Sequence, residues 1–345
     1  MNNEKSFSKN TLEVITVIAC LVILGICMGI GSVDIPLKDA LTILSGKIFG
    51  TAIPKDLAAT TSILWSIRLP RATTAFLVGG ALALSGAIMQ AVLQNPLASS
   101  YTLGVSSGAS LGASIIIVTQ FTIPALGNFL LPTFGFAFGF ATVLLVLAIA
   151  SRFDNTLHSN TVILIGMVVS LFTNAVMTLV SSFARAHSQQ LLLWTMGSFS
   201  GKRWYHVQVL LPLCIFGLIV TLFYAKSMDI ISFGDEQAYA MGVNVGKSKK
   251  ILLLIASILT GASVCFSGTI GFVDLIAPHA VRIIFGASHK RVMPMSFFVG
   301  GAFMALCDMI ARTAVEAELP VGAVTGVIGA PFFVWLYLRG GKERG

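Results

Sequence analysis

The sequence predicts an all-α, polytopic membrane protein of about ten transmembrane helices with an internal inverted repeat. Three observations carry this reading. Of the 345 residues, 56% are hydrophobic and only 10% are charged, against roughly 25% charged in soluble chains. So few charges cannot cover a water-facing surface of ordinary size, so much of the surface must face lipid. The apolar runs are long and do not alternate, which selects helices over the strands of about 10 residues that build a membrane barrel. A helix pairs its backbone groups within its own segment, as lipid requires. Finally, one segment occurs twice, at a spacing that reverses its direction.

The spans follow in chain order. The first run, residues 11–31, comes after Lys5 and Lys9. It is long enough to cross a bilayer, and no small-residue cleavage site follows it, so it reads as a retained helix rather than a signal peptide. Further runs occupy residues 72–92, 134–151, 161–183, 207–223, 251–271, 295–309 and 321–338. Two more are interrupted: 103–118 is rich in Gly and Ser, and 275–285 contains Pro278 and His279. Interrupted segments suit helices inside a bundle, beside a pathway. Gly79, Gly80, Gly86, Gly108 and Gly112 permit close helix approach.

With the N-terminus in the cytoplasm, ten spans return the C-terminus there. Lys247, Lys249, Lys250, Lys290, Arg291, Arg339, Lys342 and Arg344 then lie inside. Lys38, Lys47, Lys55, Arg68, Arg71, Arg185, Lys202, Arg203 and Arg312 lie outside, so the positive-inside bias is weak. The whole chain, 1–345, reads as one domain, with 227–250 as a polar cytoplasmic loop.

The repeat appears on a shift of 182 residues, which lays 77–98 over 259–280 with eight of 22 positions identical, among them Ser85/Ser267, Gly86/Gly268 and Pro96/Pro278. The copies fall in the second and seventh spans. An odd separation makes them run in opposite directions, a construction common in transporters.

Several functions are excluded. The net charge is +8, but the basic residues are scattered between apolar runs, without the stripe that nucleic-acid binding needs. Cys20, Cys27, Cys214, Cys265 and Cys307 form no CxxC motif and read as small buried hydrophobes. Residues 242–248 (GVNVGKS) fall one residue short of a P-loop and follow no strand, so ATP is left to a partner. His158, His187, His206, His279 and His289 make no HExxH pattern, and no GxSxG elbow occurs. No metal site, cofactor or catalytic group is predicted. Asp274 and Asp308 lie in or beside spans, where a carboxylate is a functional candidate. Proton coupling competes there with simple pairing, for Asp308 and Arg312 stand four apart on one helix face.

The longer motifs carry a resemblance. Arg68-Leu69-Pro70-Arg71, VGGALALSGAIMQ at 78–90, NPLA at 95–98 and LGVSSGASLG at 103–112 stand in order. GDEQAYAMG at 234–242, SGTIGFVDLIAPHAVR at 267–282 and ELPVGAVTGVIGAPFF at 318–333 follow. Together they resemble the iron-siderophore (FecCD-type) permease family of ABC transporters, which includes the vitamin B12 importer permease. Asp274 departs from it, since the family more often has Gly there.

The resemblance implies a ten-helix transport subunit of the bacterial cytoplasmic membrane, not an enzyme. It pairs with a second permease subunit, identical or paralogous, around a central pathway. Two cytoplasmic ABC ATPase subunits dock below, and a substrate-binding protein or lipoprotein delivers a ferric siderophore from outside. Haem or cobalamin are alternative cargoes of the same architecture. An ion-coupled secondary transporter, motivated by Asp274 and Asp308, and an intramembrane enzyme are the competing classes. By the same resemblance Asp235, Glu236, Ala238 and Gly242 contact the ATPases in short helices. Ser159 and Asn160 form a cytoplasmic gate, for which a plain helix N-cap is the alternative. Arg68, Arg71 and Arg312 receive acidic residues of the binding protein.

Overall fold

The structure, a computed structural model, describes residues 2–31, 33, 35–154, 156–183 and 187–342; Arg185 and Arg344 lie outside them. In chain order the helices are α1 (Asn2–Gly29), α2 (Leu37–Phe49), α3 (Ala58–Thr61), α4 (Leu69–Val92) and α5 (Val105–Thr119). Then come α6 (Leu130–Phe153), α7 (Ser159–Ser182), α8 (Ser188–Met196), α9 (Trp204–Phe223) and α10 (Ala225–Ile231). The chain continues through α11 (Asp235–Ala240), α12 (Val245–Ser267), α13 (Val273–Phe285), α14 (His289–Thr313) and α15 (Val321–Lys342). The ten predicted spans are α1, α4, α5, α6, α7, α9, α12, α13, α14 and α15.

Among the described residues, seven helices are long and apolar enough to cross a membrane. The other three are shorter: the two interrupted spans and the apolar stretch Val321–Trp335 of α15. The 15 residues of α5 and the 13 of α13 reach only about 22 and 20 Å at 1.5 Å per residue, less than a hydrocarbon core of about 30 Å. The sequence does not single out α2, whose apolar residues are interrupted by Lys38, Asp39 and Lys47, or α8, which has only nine residues.

The helix α4 is buried along its whole apolar length. It packs on α14, α12, α13 and α9. Lipid gives apolar side chains no reason to leave it for one another, so small residues and close backbones must hold such a helix. A Cβ added at Gly79 would collide with the Gly300 carbonyl oxygen and the Met304 side chain, and one at Gly86 with the Asp274 carbonyl oxygen. The chain enters α4 through 3-10, α and π turns over residues 55–68. The wide turns precede Pro70, which has no N–H to give and whose ring crowds the carbonyl four residues back. At the periphery, α7 and α9 turn Val168, Leu171, Phe172, Phe216, Ile219 and Phe223 outward, as lipid-facing helices do.

The first copy of the sequence repeat, 77–98, covers the last part of α4 and the start of the break at 93–104; the second, 259–280, covers the end of α12, the break at 268–272 and the start of α13. The breaks are displaced on the alignment. Helix α12 ends at Ser267, whereas its counterpart Ser85 lies inside α4, which runs on to Val92.

Gly79→Val should therefore destabilise the protein in detergent by about 1–3 kcal/mol, the usual cost of overpacking. Gly25 on α1 meets nothing within 4 Å, so Gly25→Val should change stability much less. Thermal unfolding of the two variants, side by side, checks this; equal shifts would mean that the α4–α14 contact does not limit stability.

Candidate functional site

The two ends of α4 carry different machinery. At its N-terminal end the three predicted arginines converge. Arg71 holds Asp308 of α14 with two nitrogens, Nε at 3.0 and 3.1 Å from the carboxylate oxygens and Nη2 at 2.8 Å from Oδ1. Its remaining nitrogen donates to Glu318. Such forked contacts are the strong form of the Arg–carboxylate pair. Arg312 lies 3.6 Å from Asp308, the predicted spacing of four, and donates to the Cys27 carbonyl oxygen at the end of α1. The main partner of Asp308 is thus Arg71, not Arg312. Arg68 is buried and donates to the carbonyl oxygens of Gly29, at 2.6 Å, and Val33.

In the isolated chain these guanidinia hold α1, α4 and α14 together. They also line a cleft of about 420 Å³ with Glu316 and Glu318. Glu318, inside a motif but not singled out from sequence, is the more exposed partner, 37% against 1% for Asp308. Nearby, the Trp204 indole at the start of α9 donates to the Trp65 carbonyl oxygen at 2.8 Å.

The opposite end of α4 meets the loop predicted at 227–250. The segment begins inside the short helix α10, holds the short helix α11, ends inside α12, whose first six residues it includes, and turns at Gly242 with φ +80°. This is the left-handed region that glycine tolerates. A Cβ there would meet nothing within 4 Å, so the glycine serves the backbone angle rather than a close contact within the chain. Glu236 is exposed. Ala238 points inward, fully buried with Ile231 and Val245, and so stabilises the pair of short helices instead of presenting a surface. Phe233, Tyr239 and Met241 are 75%, 47% and 65% exposed.

Asp235 is bound on both sides: Lys249 Nζ donates to it at 2.6 Å and Gln94 Nε2 at 2.8 Å. At the same end Asp229 of α10 accepts the His289 backbone N–H at 2.8 Å, fastening α10 to the start of α14. Burial raises the pKa of Asp229, but the hydrogen bonds from His289 outweigh it, and the group lies below the usual carboxylate range.

Ser159 and Asn160 open α7 at this same end. Neither caps the helix: His158 is the N-cap residue and makes no side-chain cap bond. The turn before it is built by Asp154, which accepts from Thr156 Oγ1 at 2.6 Å, Thr156 N at 2.8 Å and His158 N at 2.8 Å. These bonds, led by that from the Thr156 hydroxyl, bring the Asp154 carboxyl down to about 2. A depressed pKa means that the contribution of Asp154 is present at neutral pH. It is lost only as pH falls from the ordinary carboxylate range through about 2.

Asp274 sits between the two breaks. Its Oδ2 accepts from Ser99 Oγ at 2.5 Å and from Ser100 N and Oγ, both at 2.9 Å. Beside it the Tyr101 hydroxyl donates to the Ile270 carbonyl oxygen at 2.8 Å. The carboxylate thus ties the first break to the start of α13, a role that the sequence left open.

Replacing one partner of a buried ion pair leaves a stranded charge and costs about 3–5 kcal/mol, whereas an apolar replacement of both is often near neutral. Arg71→Met should therefore lower the melting temperature in detergent more than the double variant Arg71→Met, Asp308→Leu. Equal losses would show that the pair is not what holds α4 to α14 at this end.

A model of the FecCD transport family matches residues 17–339. The chain is 36% identical over 338 residues to the hemin transport system permease protein HmuU of Yersinia pestis, covering 94% of this chain and 96% of that one. It is 39% identical over 274 residues to the cobalamin import system permease protein BtuC of Halobacterium salinarum, covering 79% and 73%. Among solved structures, a metal-chelate type ABC transporter in an inward-facing conformation matches with a TM-score of 0.84 at 27% identity, over 96% of this chain and 99% of that one. The match takes in both ends of α4 and both breaks, and the chain belongs to the FecCD transport family of ABC transporter permeases.

Proposed function

We propose that this chain is the permease subunit of an ATP-driven importer that carries a metal chelate of the ferric siderophore class across the bacterial cytoplasmic membrane. One observation supports this above the rest: a fully buried helix carries an arginine-lined cleft at one end and a pair of short helices with exposed apolar residues at the other. That is the layout of a device addressed from both sides. In this reading Phe233, Tyr239 and Met241, with Glu236 and the Gly242 turn, meet one of two ATPase subunits. Exposed apolar groups on a polar loop mark such a contact. Ser159 and Asn160 close the inner mouth against a second permease subunit, identical or paralogous. The arginine end receives the binding protein. Haem and cobalamin are the other cargoes in view, because relatives are named for them. Asp274 and Asp308 are both tied within the fold, so neither favours an ion-coupled carrier.

In proteoliposomes with the ATPases and binding protein, ATP should drive uptake of labelled ferric siderophore and an ion gradient alone should not. Gly242→Phe should insert normally and lose at least tenfold in uptake; parental uptake with normal ATPase stimulation would refute the assigned contact. At the other end, docking requires an incoming carboxylate to replace Glu318 on Arg71. Glu318→Gln, which removes the competitor, should raise binding-protein affinity and steepen its decline with salt. Unchanged affinity and salt dependence would move docking away from this cluster.

A further inference from the structure

Lys249 stands on the second turn of α12, and its side chain is wholly buried. Its ammonium bonds two things at once: Asp235 Oδ2 on α11, at 2.6 Å, and the Leu157 carbonyl oxygen in the turn before α7, at 3.4 Å. We infer that Lys249 is a positioning residue for transport, linking the helix that meets the ATPase to the turn that sets the inner gate. The inference rests on the assignments of α11 and of Ser159 and Asn160 made above.

Each part of the link is fixed by a second contact. Gln94, at the end of α4, donates to Asp235 Oδ1 at 2.8 Å and to the Ile231 carbonyl oxygen at 3.0 Å. Gln94 thus ties both α11, through Asp235, and the end of α10, through Ile231, to the end of α4. On the far side Leu157 is fully buried with φ +55°, an angle that a leucine adopts only under constraint. It stands two residues before Ser159, and its turn is closed by the Asp154 bonds to Thr156 and His158. A displacement of the Leu157 carbonyl thus moves the start of α7.

The chemistry of a buried ammonium couples the two sides. A buried ammonium carries three donors and cannot be left without acceptors at small cost. If the ATPases shift α11, Lys249 must follow Asp235 or strand its charge, and its bond to Leu157 stretches or carries the turn along. Stability alone does not call for this arrangement, since well-packed apolar residues often replace a buried ion pair without loss.

The test uses the complete transporter in proteoliposomes, with a cysteine at Ser159 to report contact between the two permease subunits. Lys249→Met should assemble with its ATPases and hydrolyse ATP within twofold of the parent. Uptake per ATP should fall at least tenfold, and Ser159→Cys cross-linking should stop responding to nucleotide. Lys249→Arg, which keeps a cation and several donors, should restore uptake per ATP to within threefold. Should Lys249→Met fail to insert, Lys249→Gln takes its place, with the same loss of nucleotide response expected.

Parental uptake per ATP with cross-linking still governed by nucleotide would overturn the inference. Loss of ATPase binding in both variants would overturn it too, since the residue would then serve docking alone. Failure of the underlying assignments shows elsewhere: the parental transporter would not bind ATPases, or its Ser159→Cys cross-link would ignore nucleotide, whatever stands at 249.

Discussion

The burial of α4 is the constraint on which the rest of the structure depends. A helix with no lipid-facing side must be matched all round by other helices, at distances that only small residues allow. Gly79 and Gly86 set those distances against α14 and α13. At 24 residues the helix is about 36 Å long, enough to cross the hydrocarbon core and to hold the arginine cluster and the short helices a fixed distance apart. Because α14 runs beside it and is fastened at both ends, by Asp229 at His289 and by Arg71 at Asp308, the two ends are built on one rigid pair of helices.

The same rule governs the charges at either end. A lone charge in or near the hydrocarbon costs at least about 2.5–3.5 kcal/mol on insertion scales, so each buried cation is forced onto an acceptor. Arg71 takes Asp308, Arg68 takes two carbonyl oxygens, and Lys249 takes Asp235 and Leu157. Except for Lys249 with Asp235, which joins the consecutive helices α11 and α12, these bonds join elements far apart in sequence. In a bundle where apolar contact gives little preference for one neighbour over another, such pairings fix which helix lies beside which.

What the sequence made legible follows from how strongly lipid constrains it. Long apolar runs had to be helices, and a helix stands close to each of the ten runs. Gly, Ser and Pro marked α5 and α13 as the interrupted ones, and both prove short. Pairing across distance was not legible. Asp308 has an arginine four residues away, which spacing alone makes its partner, yet the residue that grips it lies 237 positions earlier. Lys249 read as one more cytoplasmic charge, because nothing local says that its ammonium is buried. Ala238 stood in a motif whose small residues suggest a contact surface, but a small side chain also suits the inside of a tight pair of helices, and that is where it lies. The repeat was visible as identities, while the displacement of its breaks was not, since both copies keep the same SG pair and only one turns at the glycine, with φ +75° at Gly268.

The two breaks bring these threads together. Irregular backbone within the membrane survives only where protein satisfies its polar groups, and here Tyr101 of one break bonds Ile270 of the other while Asp274 at the start of α13 serves Ser99 and Ser100. Asp274, where the family more often has glycine, takes the hydroxyls of Ser99 and Ser100 and the backbone N–H of Ser100, and Tyr101 bonds the Ile270 carbonyl. A glycine at 274 would leave those donors to water or to other acceptors and the contact between the breaks looser. The carboxylate therefore stiffens a junction at the heart of the repeat, just where α4 passes with Gly86 against the Asp274 backbone. Of the two readings open from sequence, proton coupling and simple pairing, the hydrogen bonds of Asp274 fit the second, with hydroxyls and a backbone N–H as partners in place of an arginine. Its three donors leave Oδ2 engaged on every side that the break presents, which is the arrangement of a group that holds backbone in place.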